Sequence, residues 1–236
     1  MASEVPLGST PEPPQSSNVS CPESGVPLVV LGGGGHAIDV LHLVLARWAA
    51  DGRGAASVIV ADDDSEALDR FKGIEVETVS PLVDAFEPGR LFISGVGYPE
   101  PRRLLVRSAA NADMKPLDAV VHPSAVIHPD VVIGVGSVIS GLTWISPAVT
   151  CGQHAYIGYG AKIGHDVSIG HHSSIMPGAF VGGETVIGDG VLIGANATVL
   201  QGLEIGAGAR VGAGSVVTRS VAVGATVVGS PAREMS

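Results

Sequence analysis

The 236-residue chain is poor in cysteine, with two, poor in aromatics, at 4%, and short of positive charge, with 13 Lys and Arg against 23 Asp and Glu. Each shortage excludes something. Cys21 sits in an N-terminal stretch rich in Pro and Ser, and Cys151 falls on an inward position of the repeat described below, so the two are not expected to pair. A reduced cytoplasmic protein without thiol chemistry is the expectation. A formal net charge of −10 leaves no basic cluster to neutralise phosphates, which argues against nucleic acid as a partner. No apolar run is long enough to span a bilayer, and the N-terminus lacks the basic-then-apolar pattern of a secretory signal, so no membrane partner is expected. Residues 1–25, rich in Pro, Ser and Glu, cannot bury enough surface to offset ordering entropy and are expected to form a disordered tail.

Aliphatic residues at a fixed spacing are what the chain has in abundance. From Val121 to Val223 every sixth residue is Ile or Val, with Cys151 the one departure. Gly often follows, as at Gly134, Gly152, Gly164 and Gly182, and the fifth place is usually small or β-branched, as at Ala155, Ala161, Val167 and Ser173. Neither a helix nor a flat strand returns the same side chain at this interval, whereas a parallel β-helix does. Each hexad then makes one face, the Gly eases the turn, and three hexads close a coil. Residues 119–236 are expected to form this unit, held by an inward ladder in which each fully buried aliphatic is worth roughly 1.5–3 kcal/mol.

Residues 26–118 read differently. Leu28-Val29-Val30-Leu31 is an apolar strand, Gly32 to Gly35 make a turn, and His36 to Trp48 carries Ile38, Leu41, Leu45 and Trp48 at helical spacing. Further strands are expected at Ser57 to Ala61 and Leu91 to Ser94, with helical stretches at Ser65 to Phe71, Pro81 to Phe86 and Pro101 to Ala112. This alternation predicts a small parallel, Rossmann-like α/β sheet. Glycines between a strand and a helix start let backbone N–H groups approach an anion. Asp62, Asp63 and Asp64 end the second strand, and Gly95-Val96-Gly97 ends the third with Arg102 and Arg103 behind it. All three loops fall at the carboxyl edge, where such sheets bind ligands, and the half-size sheet suits a mononucleotide or nucleotide-sugar. A diphosphate would suit the glycines and arginines.

Among the histidines of the repeat, His122 and His128 precede prolines and read as turn residues. His165 is placed at an outward corner and followed by Asp166, which makes it a candidate proton acceptor with a carboxylate to fix its tautomer. A histidine-bound zinc, as in the γ-class carbonic anhydrases, would need a different spacing from that of His154, His165, His171 and His172, so no metal is expected.

With these marks, and the closing Val228-Gly229-Ser230-Pro231-Ala232, the sequence from Val26 to Ala232 resembles the sugar O- and N-acyltransferases of the sialic acid O-acetyltransferase type. Close relatives in that family N-acetylate nucleotide-linked 4-amino-sugars. The resemblance implies a left-handed β-helix, a homotrimer, and acetyl-CoA lying between neighbouring β-helices. It further implies His165 as general base, with Asp166 where a Glu is common. Gly183 would offer its N–H to the thioester carbonyl, and Ser174 would stand near the cofactor where several relatives have a second histidine. Gly34, Gly35 and His36 would lie by the nucleotide-sugar, with Asp62 or Asp63 near its base and Gly95 in the adjoining loop. The expected activity is N-acetylation of a nucleotide-linked amino-sugar by direct transfer from acetyl-CoA. O-acetylation of a sugar acid or other hydroxyl is the alternative, and a non-catalytic nucleotide-sugar-binding protein is the alternative of another class.

Overall fold

In a computed structural model describing residues 27–52 and 57–235, the apolar run Leu28–Leu31 is a central strand, β1, buried along its whole length. Its side chains alternate between two cores, because successive residues of a strand point to opposite faces. Leu28 and Val30 meet helix α1 (Gly35–Ala50) through Val40, Leu41, Val44 and Trp48. Val29 and Leu31 face a second core with Phe92, Val106 and Ala109, the last two on helix α2 (Pro99–Asn111). Strands β2 (Val58–Ala61), β3 (Glu77–Val79), β4 (Leu91–Ser94) and β5 (Lys115–Pro116) complete a parallel sheet of order β3-β2-β1-β4-β5. The order reverses at β1, which puts a crevice outside its carboxyl end, between the loops after β1 and β4.

Two expectations are corrected here. The stretches read as helices near 65–71 and 81–86 are single 3-10 turns, Ala67–Phe71 and Leu82–Ala85. Strand β3 was not foreseen because it is an exposed edge, Glu77-Thr78-Val79, with no apolar run to mark it. The tail expected over 1–25 lies outside the described residues.

The rest of the chain is a left-handed parallel β-helix of three sheets. The first face stacks Val120–Val121, Val138–Ile139, Tyr156–Ile157, Ser174–Ile175, Leu192–Ile193 and Arg210–Val211 in register. The second carries Val126–Ile127, Trp144–Ile145, Lys162–Ile163, Phe180–Val181, Thr198–Val199 and Val216–Val217. The third carries Val132–Ile133, Thr150–Cys151, Ser168–Ile169, Val186–Ile187 and Glu204–Ile205. The second residue of each pair points inward, and from Ile139 to Val217 these form one continuous core.

The ladder loses phase at its end. Ile187 pairs with Ile205, but Ile205 then bridges to Val221, two residues sooner than the repeat requires. Val221 is therefore buried, and Val223, expected inward, is 77% exposed. The glycine after each rung also serves a purpose other than the one expected. Positive φ falls two places later, as at His154, Asp166, His172 and Glu184. The glycine itself is needed because the next coil passes over it: a Cβ on Gly164 would lie 2.5 Å from the Gly183 nitrogen.

Candidate active site

His165 stands at the corner between the second and third faces. Asp166 adopts the left-handed conformation, φ 58°, and its carboxylate meets the imidazole, with Nδ1 and Oδ2 2.8 Å apart. The backbone is held from both sides, since Asp166 N donates to Pro147 O at 3.1 Å and Glu184 N donates to His165 O at 2.8 Å. Nδ1–H pointing at the carboxylate leaves Nε2 as the acceptor of a neutral ring. Both side chains are about half exposed. Gly183 lies one coil on, and a Cβ there would be 2.8 Å from Nε2 of His165. Among the described residues no hydrogen-bond acceptor takes the Gly183 N–H. Exposed Trp144 and Phe180 project from the adjoining second face, and Val132 and Val186 from the third.

The nucleotide-type loops are assembled differently from the expectation. Asp62 gives Oδ2 to Gly33 N at 2.5 Å and Oδ1 to Asp64 N at 2.8 Å, so both oxygens hold backbone and the residue clamps the glycine turn. Asp63 is exposed and accepts Leu82 N at 2.9 Å through Oδ1. Gly34 and Gly35 are exposed at the start of α1, which has no side-chain cap and no acid in its first turn. Arg70, which sequence reasoning missed, stands beside them, its Nη1 3.6 Å from where a Cβ of Gly35 would be. Only the 3-10 turn after β2 brings it there. Gly95 is buried packing rather than a ligand contact, for a Cβ there would lie 2.6 Å from the Ala37 Cβ.

His36 lies against Gly97 and meets Tyr156 of the first face edge-on, ring centroids 4.4 Å apart. Burial lowers its pKa to about 4, with Arg102 adding and Asp39 opposing. Ser174, expected near the cofactor, is fully buried between the two domains. Its hydroxyl donates to Gly97 O at 2.7 Å and accepts from Arg102 Nη2 at 2.9 Å, which leaves no side for a cofactor. Arg102 likewise points into the β-helix, and Arg103 is exposed and paired with Glu100 at 2.8 Å, so neither arginine reaches out over the glycine loop. Alongside, His154 stacks on His172, centroids 5.2 Å apart, and on Phe92 at 6.0 Å. Burial lowers the pKa of His154 to about 4 and also lowers that of His172, with neighbouring cations adding. Among the described residues no group of three or more His, Cys, Asp or Glu is placed to hold a metal.

These contacts seat the α/β domain on the outer side of the first face, on Tyr156 and Ser174. The chain visits its three faces in turn, so His165, at the corner between the other two, is across the prism from that domain.

Comparison with known proteins agrees with this architecture. Residues 184–219 match the family described as bacterial transferase hexapeptide (six repeats). No curated protein matches the sequence. The acetyltransferase domain of PglB from Neisseria gonorrhoeae FA1090, solved with acetyl coenzyme A, is 28% identical over 89% of this chain and 98% of its own, with a TM-score of 0.77. WeeI from Acinetobacter baumannii AYE is 27% identical over 88% of this chain and 99% of its own, with a TM-score of 0.72. PerB from Caulobacter crescentus, in complex with CoA and GDP-perosamine, is 26% identical over 89% of this chain and 97% of its own, with a TM-score of 0.56. By its repeat, its two-domain order and these likenesses, the chain is similar to the hexapeptide-repeat acyltransferases.

Proposed function

We propose that this protein is an acetyl-CoA-dependent N-acetyltransferase acting on the amino group of a nucleotide-linked amino-sugar. The observation that carries the reading is the His165–Asp166 pair, whose ring presents an acceptor nitrogen at an exposed corner beside the unpartnered Gly183 N–H. The likeness to PglB, solved with acetyl coenzyme A, and to PerB, solved with CoA and GDP-perosamine, supports the choice of substrates.

The amine nitrogen attacks the thioester carbonyl as His165 Nε2 takes its proton, and the Gly183 N–H steadies the oxyanion that forms. Collapse expels the CoA thiolate, which recovers the proton. No acyl-enzyme is involved, since the one thiol of the β-helix, Cys151, is buried on an inward rung and its pKa is pushed up to about 12 by that burial. Residues 26–118 hold the nucleotide and residues 119–236 supply the chemistry. The diphosphate lies at the exposed start of α1 with Arg70, and Asp63 serves the base.

Because the two halves of this site are on opposite sides of one prism, a second copy must bring its nucleotide edge to His165. A cytoplasmic homotrimer, packed through the exposed second and third faces with acetyl-CoA between neighbours, does this. The test is thiol release from acetyl-CoA against UDP-, GDP- and dTDP-linked 4-amino-sugars, with calorimetry of the free nucleoside diphosphates. Turnover with one of them is expected. Thiol release with a sugar acid alone, and no diphosphate binding, would overturn the reading in favour of O-acetylation.

A further inference from the structure

Arg102 is a buried cation with no counter-ion. It is 3% exposed, and its guanidinium donates only to neutral acceptors: Val96 O at 3.1 Å, Gly97 O at 3.0 Å, His172 O at 2.6 Å, Ser173 O at 3.0 Å and Ser174 Oγ at 2.9 Å. Its Nε has no partner. Among the described residues no carboxylate comes within ion-pair distance of it. A charge taken out of water without an opposite charge is destabilising. The neighbours do not relieve it, for His36, His154 and His172 are histidines that its field further disfavours protonating.

What it grips is the loop after β4, on one wall of the sheet crevice. Gly32 packs so closely on that loop that a Cβ there would lie 2.9 Å from Val96 Cγ2. The uncapped start of α1 opens on the same crevice at Gly34 and Gly35. Arg102 thus stands one loop away from the crevice, held to the Val96 and Gly97 carbonyls, where its charge is less screened than it would be in water.

We propose that Arg102 is the buried countercharge of the diphosphate, a specificity-determining residue that makes this edge prefer nucleoside diphosphates to uncharged nucleosides. The proposal rests on the nucleotide reading given above. Arg102 does not touch the ligand; it acts across the loop it holds, while exposed Arg70 makes the direct contact.

The test measures affinities of the best-binding nucleoside diphosphate and of its nucleoside for the wild type, Arg102→Lys and Arg102→Gln, each checked for folding by its melting temperature. Arg102→Gln should lose about tenfold in diphosphate affinity and keep nucleoside affinity within about twofold, and Arg102→Lys should keep both. Equal losses in the Lys and Gln variants, or equal losses for diphosphate and nucleoside, would overturn the proposal and leave Arg102 as a domain pin only. Should Arg102→Gln not fold, the wild type decides. A buried charge keeps its diphosphate preference at about 0.5 M salt, whereas collapse of the preference would assign it to Arg70 and refute the role of Arg102. If no nucleotide binds the wild type, the nucleotide reading itself fails, a result distinct from binding that ignores Arg102.

Discussion

A Cβ placed on Gly183 would lie 2.8 Å from both Cε1 and Nε2 of His165, one coil away. Glycine at 183 is thus what lets the imidazole stand where it does; Gly183 itself is buried beside that ring, and its N–H has no acceptor among the described residues.

Gly183→Ala should therefore displace the His165 ring while the prism survives, because the ring is about half exposed and can swing into solvent. We expect kcat to fall on the order of 10²-fold with nucleotide affinity unchanged, measured by thiol release and calorimetry. Retention of near wild-type kcat would show that neither the ring position nor the amide matters.

Replacing His165 by Ala should lower kcat by on the order of 10²–10⁴ and leave nucleoside diphosphate binding alone. Asp63→Ala should weaken that binding by roughly 1–3 kcal/mol and spare acetyl-CoA binding. In the proposed trimer each site takes residues from two copies, so subunit exchange between these two inactive or weakened variants should restore part of the activity. Mixed oligomers no more active than the average of their parents would argue that each chain works alone.

Gly95→Ala tests the packing assignment. Its Cβ would meet the Ala37 Cβ at 2.6 Å, so β4 and α1 must move apart, which costs about 1–3 kcal/mol and lowers Tm by several degrees. A variant as stable as wild type but unable to bind nucleotide would return Gly95 to the ligand site.

Acid should loosen the seam between the domains. His36 and His154 have folded pKa values lowered to about 4 from 6.5, so below pH 6.5 the unfolded chain binds protons that the folded chain refuses. Their contribution is complete above pH 6.5 and is lost as the pH falls towards 4, by roughly 2 kcal/mol each after allowance for partial solvent access. Tm should drop over that window, and His154→Phe, which can still stack on Phe92 and His172, should flatten the slope. A Tm rising on acidification to pH 5 would contradict this.

Much of the fold is legible because its signals are local. A side chain returning at every sixth place makes a ladder whatever else the chain does, and an apolar strand running into glycines and a periodic helix makes the first β–α unit of a parallel sheet. The His165–Asp166 adjacency was legible too, although only the left-handed turn at Asp166 brings the carboxylate to Nδ1. Where signals were weak, reading failed: edge strand β3 has no apolar run, and the last coil is shortened at a corner where Ser220 Oγ accepts Glu204 N, which moves the inward place to Val221.

The sequence by itself determined that a nucleotide-type sheet edge and a histidine-bearing β-helix occur in one chain, since each follows from residues close together along it. Only the tertiary structure decided what lies between them. Arg102 meets the carbonyls of His172 and Ser173 and the hydroxyl of Ser174 across some 70 positions, with |i−j| of 70, 71 and 72, and no spacing rule reaches that far. That docking buries Ser174, turns Arg102 away from the crevice and sets His165 on the far side of the prism. The physical reason is that a repeat specifies its own stacking from one coil to the next, whereas the seating of one domain on one face out of three depends on side chains that meet only after both have folded.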